Sequence, residues 1–262
     1  MRRALGAILV AASLACGAAA HAEPAPDPAE SPQAGWNNVL GEYVQDGRVD
    51  YQGIAAWPNR LDAFLGWAEA TDPSTLPARE GQLAFWINAY NACVIRKVLD
   101  HAPLASVKQV KGFFSEKTCR VAGAARSLDQ IEAAARQFGD WRVHVAVVCA
   151  STSCPPLRNE AYDGARLNEQ LADQATRFLR DRVRGLRLDG TTLWASQIFK
   201  WYAADFAPSA KGPFAKLISG ALLSPLLPYL EPTLAEAIQA LNPSLKYMDY
   251  DWTLNAQRSA AQ

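Results

Sequence analysis

Between Leu83 and Leu99 apolar side chains fall around the whole circumference of a helical wheel: Leu83, Phe85, Trp86, Ile87, Tyr90, Val94, Ile95, Val98 and Leu99. A helix with so little polar face is enclosed by the rest of the protein rather than laid on its surface. Pro77 can open it and Pro103 stops it, which predicts a central helix from Arg79 to about His101. Asn88 and Asn91 interrupt the apolar run three residues apart, hence on one face. An amide buried without partners costs about 1–3 kcal/mol, so these two either tie neighbouring segments to the helix or act as an orienter or oxyanion donor.

The pattern elsewhere is shorter in period and length. Helices are predicted over Asn37–Tyr43 and Leu61–Glu69, the second from Leu61, Phe64, Leu65 and Ala68, with a turn at Asp46-Gly47 between them. A loop holding Gly112 leads to a short strand near Thr118–Ala122, and Ser127 with Gln130 has the spacing of a capping box. Trp141–Cys149 is a β-branched run, with Val143, Val145, Val147 and Val148, and predicts a strand buried on both faces. A helix over Ala165–Arg180 follows, then a hairpin of Arg184–Leu188 and Thr191–Ala195 about Asp189-Gly190. Ser196 can cap a helix Gln197–Asp205; helices near Pro213–Ser219 and Thr233–Leu241 and a strand near Leu245–Tyr250 close the chain. Strands and helices do not alternate and no repeat is evident, so the expected fold class is α+β: one helix-rich domain over 35–255, with a buried central helix and a small sheet.

The ends read differently. Arg2-Arg3, an apolar stretch Ala4–Ala15 and small residues ending Ala20-His21-Ala22 have the order of a secretory signal, cleaved after Ala22. Cys16 offers a lipoprotein reading, which fits less well because Leu14 stands one position late. Residues 23–34 hold four prolines and read as a tether, and 256–262 as a disordered tail. Ile218–Leu230, the most apolar later stretch, is broken by Gly220, Pro225 and Pro228, so no transmembrane segment is expected in the mature chain. The expected location is the periplasm or the exterior.

Charge and cysteine content narrow the chemistry. Lys plus Arg and Asp plus Glu are equal at 26 each, and removal of the signal takes two arginines and no acid. No basic face is concentrated anywhere, which argues against a nucleic-acid partner. Cys93, Cys119, Cys149 and Cys154 survive cleavage and allow three pairings in an oxidising compartment. Their spacing matches neither a zinc pattern nor Cys-x-x-Cys, and no metal or cofactor is expected. The partner left open is a small molecule or peptide.

Two candidate sites remain. The run His144-Val145-Ala146-Val147-Val148-Cys149-Ala150-Ser151-Thr152-Ser153-Cys154-Pro155 passes from a buried stretch into nucleophile-capable residues. In a regular strand Cys149 lies roughly 16 Å from His144 and on the opposite face, which excludes that pair, whereas Cys154 can fold back towards His144. A Cys154–His144 dyad is thus sterically open, against a Cys149–Cys154 disulfide that leaves no resting nucleophile. Phe199-Lys200-Trp201-Tyr202 and Tyr247–Trp252 are aromatic segments that pack the core or line a pocket, and Asp205 and Asp251 can partner a histidine.

Phe85-Trp86-Ile87-Asn88-Ala89-Tyr90-Asn91-Ala92, Ser127-Leu128-Asp129-Gln130-Ile131-Glu132, His144–Leu157, Ile198–Phe206 and Tyr250–Asn255 occur in the order of a known family. In these segments the chain resembles the domain of unknown function 547. That resemblance implies a shared domain over most of Tyr51–Asn255 and no established activity. Plant members are similar around Asn88 and Cys149 but carry a serine at the position of Cys154. The functional expectation is a thiol-dependent hydrolase or transferase for an amide or ester, using Cys154 as nucleophile, His144 as base and Asn88 or Asn91 as orienter, with Cys149 beside them. The alternative is a non-catalytic, disulfide-stabilised binding module.

Overall fold

Helix α4, Ala78–Asp100, is the axis on which the other elements are laid, and it buries fourteen of its residues, Asn88, Asn91 and Lys97 among them. The computed structural model describes residues 30–206 and 224–257. The expected signal segment and the helix expected at Pro213–Ser219 lie outside the described residues. Helices α1 (Pro32–Tyr43) and α3 (Asn59–Ala70) pack on each other, and α3 in turn on α4. Between them Trp36, fully buried, stacks on Phe64 at 5.3 Å. α1 begins before Trp36 because Ser31 Oγ accepts the Ala34 N–H and Pro32 occupies the first turn, so positions 32–34 of the expected tether are helical.

Asp46 and Gly47, with φ of 51° and 77°, turn strand β1 (Val44–Gln45) into β2 (Arg48–Val49), as the Asp-Gly pair requires. The short helix α2, Tyr51–Ala56, follows. Val49 also pairs with Ala256, and Gln257 N–H donates to Val49 C=O, so the first two residues of the expected tail are part of the fold. Strands β3 (Cys119–Val121) and β4 (Ala124–Arg126) form a hairpin tied to α3 through Ala122 N–H to Ala68 C=O and Gly123 N–H to Glu69 C=O. Both halves of the Ser127–Gln130 capping box are made at the start of α5, Leu128–Arg136.

Trp141–Cys149 is not a strand. It forms the single helical turn α6, Val143–Ala146, and then an extended stretch with no strand partner. The apolar run is continuous because it passes between two cores: Val143 and Ala146 join the cluster around α4, and Val145 joins the second one. The N–H groups of Val143, His144, Val145 and Val147 bond to nearby backbone carbonyls, and side-chain amides rather than a ladder take three further groups. Asn91 Nδ2 donates to Ala146 C=O at 3.0 Å, Asn91 Oδ1 accepts Val148 N–H at 2.9 Å, and Gln174 Nε2 donates to Val145 C=O at 3.0 Å.

The second core gathers α7 (Leu167–Arg180), strands β5 (Leu186–Asp189) and β6 (Thr192–Ala195), α8 (Gln197–Trp201), α9 (Ala203–Phe206) and α10 (Pro232–Leu241). β5 and β6 are antiparallel with Asp189 opposite Thr192, so the turn residues are Gly190 and Thr191, one place beyond the expected pair. Strand β7, Ser244–Tyr247, adds parallel to β6. The architecture is α+β and helix-rich, with a buried central helix and, among the described residues, three small sheets. Among the described residues no helix is long and apolar enough to cross a membrane.

Candidate functional site

The Cys149–Cys154 loop leaves the extended stretch at Ala150, whose φ of 59° is a left-handed conformation that costs an alanine about 1–2 kcal/mol. Two disulfides are present, Cys149–Cys154 across this loop and Cys93–Cys119 between α4 and β3. Within the loop Cys149 N–H points at Cys154 Sγ, 2.9 Å away. The C-terminal segment straps over it: Thr152 N–H donates to Thr253 C=O, Ser153 N–H to Asp251 C=O and Asn255 N–H to Ala150 C=O. That strap carries the Tyr250 hydroxyl to 3.2 Å from Cys154 Sγ and 3.3 Å from Cys149 Sγ. Burial pushes the Tyr250 phenol up to about 12, so it remains a donor to sulfur.

His144 reaches the same region from α6. Its ring is enclosed, stacks on Tyr202 at 3.9 Å, and places Nε2 at 2.8 Å from Asp205 Oδ2. Asp205 is held by Arg136 at 2.7 Å, and that bond, ahead of the one from His144, keeps its carboxyl below the usual range. Desolvation outweighs the pull of Asp205 and lowers His144 to about 4, so the neutral ring donates from Nε2. Nδ1 is buried and has no hydrogen-bond partner among the described residues.

This burial makes stability acid-sensitive. With a native value of about 4 and an unfolded value near 6.5, the unfolded chain takes up a proton that the native ring refuses. The full contribution is therefore present above about pH 6.5 and is lost as pH falls towards 4, amounting to about 3 kcal/mol. Urea midpoints between pH 7.5 and 4.5 should fall steeply for the native chain and less so for His144→Asn. Parallel slopes would exclude His144 as the responsible group.

Cys149, Cys154 and His144 line one cavity of about 420 Å³. Trp201, Tyr250 and Trp252 form an aromatic wall, with Trp201 at 4.8 Å from Tyr250 and Tyr250 at 4.8 Å from Trp252. Asp129 and Glu132, one helical turn apart on α5, supply carboxyl groups. Burial raises the Glu132 carboxyl above its ordinary range, although a hydrogen bond with Tyr202 opposes this. The sequence left the aromatic segments between core and pocket, and the structure divides them: Trp201, Tyr202, Tyr250 and Trp252 line the cavity, whereas Phe199 and Tyr247 pack in the second core; Asp205 is the histidine partner that the sequence allowed. Glu132, Asp129 and Tyr90 were not singled out there, although the three-residue spacing on a capped helix was a usable sign for the two acids.

Asn88 and Asn91 stand apart from this cavity. Asn88 Oδ1 accepts Trp36 Nε1–H at 3.3 Å and Tyr162 N–H at 3.0 Å, and its Nδ2 donates to Tyr162 C=O at 2.7 Å. Asn91 is engaged with α6 as described. Both amides fasten segments to α4, and no described hydrogen bond links His144 to either cysteine. Asp251 accepts the Thr253 N–H rather than a histidine.

Residues 73–179 match the family model described as protein of unknown function, DUF547. The matched stretch holds α4, His144, Cys93, Cys119, Cys149 and Cys154, whereas Trp201, Asp205, Tyr250 and Trp252 lie beyond it. No curated protein and no solved structure matches the chain.

Proposed function

We propose that this chain is an exported, disulfide-stabilised domain that binds a small organic molecule in the cavity beside Cys149–Cys154. One observation carries the reading: a 420 Å³ cavity combines three neighbouring aromatic rings with the carboxyl groups of Asp129 and Glu132. Its size falls in the range of small-molecule sites. Rings offer a flat face to a sugar or aromatic ligand, and a carboxyl raised by burial can donate a hydrogen bond where an ionised one can only accept. Export is supported by the order of charges and small residues in Met1–Ala22 and by two disulfides, which persist in oxidising compartments.

The test is a thermal-shift screen of sugars, aromatic amines, aromatic acids and short peptides, followed by titration of any ligand found. Trp201 is 48% exposed, so Trp201→Ala leaves the fold intact. It should weaken binding at least tenfold. Equal binding by this variant, or no shift across the panel, overturns the proposal.

The thiol-enzyme reading retains one specific support: His144, which is paired with Asp205, lines the same cavity as both cysteines. It requires an open Cys149–Cys154 bridge and a shift of His144 towards Cys154, since Nε2 is engaged with Asp205. Hydrolysis of model esters by the reduced protein, abolished in Cys154→Ala, is the outcome that would favour it over binding alone.

A further inference from the structure

The two disulfides stand in different surroundings. Cys93 is 1% and Cys119 9% exposed, and neither lines the cavity. Cys149 and Cys154 both line the cavity, but Cys149 is half-buried whereas Cys154 is 3% exposed. The sulfurs also differ in their donors. Cys154 Sγ receives the backbone N–H of Cys149 at 2.9 Å and the Tyr250 hydroxyl at 3.2 Å. Cys149 Sγ lies 3.3 Å from both Tyr250 Oη and Ser151 Oγ and receives no backbone donor. Cys149 is thus the more exposed of the two, and Cys154 is the sulfur that adds a backbone N–H to its hydroxyl donor.

From this asymmetry we propose that Cys149–Cys154 is a redox-active bridge that exchanges with thiols entering the cavity, Cys149 being the attacked sulfur and Cys154 the leaving one. A thiolate in line with the bridge bonds to Cys149 Sγ, and the electron pair of the broken S–S bond passes to Cys154 Sγ. The resulting thiolate is stabilised by Cys149 N–H and Tyr250 O–H, as a good leaving thiol requires. A second thiolate then attacks the incoming sulfur of the mixed disulfide and releases Cys149. Two thiols become one disulfide, the bridge becomes two thiols, and the two protons lost by the entering thiols end on Cys149 and Cys154. Ala150, held at positive φ between the two cysteines, is a strained position of the kind that accompanies working loops. The inference rests on the sulfur geometry and not on the ligand assigned to the cavity, so either can fail alone.

The experiment is graded reduction of the native protein with glutathione, followed by alkylation and mass mapping of Cys93, Cys119, Cys149 and Cys154. Cys149 and Cys154 should become alkylated while Cys93–Cys119 stays closed. In Cys154→Ala, Cys149 should form a mixed disulfide with oxidised glutathione at least tenfold faster than Cys154 does in Cys149→Ala. Tyr250→Phe keeps the ring and removes one donor, and should slow bridge reduction about fivefold, the equivalent of one hydrogen bond. The proposal is overturned if both bridges open together, if neither opens before the protein unfolds, or if the label favours Cys154. An unchanged rate in Tyr250→Phe overturns the assignment of Cys154 as the leaving sulfur.

Discussion

Replacement of Asn91 by leucine is expected to lower the free energy of unfolding by about 4 kcal/mol. The side chains are similar in size, so little cavity or strain is introduced, and the effect isolates hydrogen bonding. Asn91 supplies a donor to Ala146 C=O and an acceptor to Val148 N–H, at a position 4% exposed. Leucine strands both backbone groups in the interior, each at about 1–3 kcal/mol. Nothing adjacent compensates, because the segment has no strand beside it from which to borrow a partner. Asn91→Asp should fall between, keeping the acceptor for Val148 and losing the donor to Ala146. Urea denaturation of the purified protein measures both. A loss below about 1 kcal/mol for Asn91→Leu would show that water replaces the amide and that the segment is not enclosed as described.

The same amide explains what the sequence could and could not disclose. The central helix was legible because its composition leaves no face for solvent, and its prolines mark the ends. The requirement that Asn88 and Asn91 find partners was equally legible, since it follows from the cost of burying an amide. What was hidden was the identity of those partners. A β-branched run reads as a strand when the ladder that would satisfy it is assumed, and here Asn91 and Gln174 take the place of the ladder. Once Val143–Ala146 coils, the spacing argument that separated His144 from Cys149 loses its basis, and both residues line one cavity.

The site was legible in parts for a related reason. Cys149, Cys154 and His144 announce themselves by residue type, and Trp201 and Tyr250 by aromatic clustering. Their assembly depends on the strap of Tyr250–Gln257 over the cysteine loop, which is made mainly of backbone hydrogen bonds between segments about a hundred residues apart. Such bonds leave no imprint on side-chain pattern. The carboxyl of Glu132 shows the same limit, since burial raises it and Tyr202, seventy residues further on, opposes this, in addition to its α5 neighbours Arg136 and Asp129.

The second large effect is expected from the buried bridge. Cys93→Ala with Cys119→Ala should cost about 3–4 kcal/mol, because the bond closes a loop of 26 residues and its loss restores that chain entropy to the unfolded state. The five-residue loop of Cys149–Cys154 restricts far less chain, and the corresponding double variant should cost about 2 kcal/mol. Folding should survive the first change, since Ala122 and Gly123 still hold the β3–β4 hairpin to α3 by backbone hydrogen bonds. The denaturant slope should rise more for the 93–119 variant as well, because a longer released loop lets the unfolded chain expand and expose more surface. Thermal and urea midpoints of the two double variants decide the order. A reversed order would mean that the Cys149–Cys154 bridge stabilises the native packing directly, which would weaken the case for a bridge that opens to thiols without unfolding the domain.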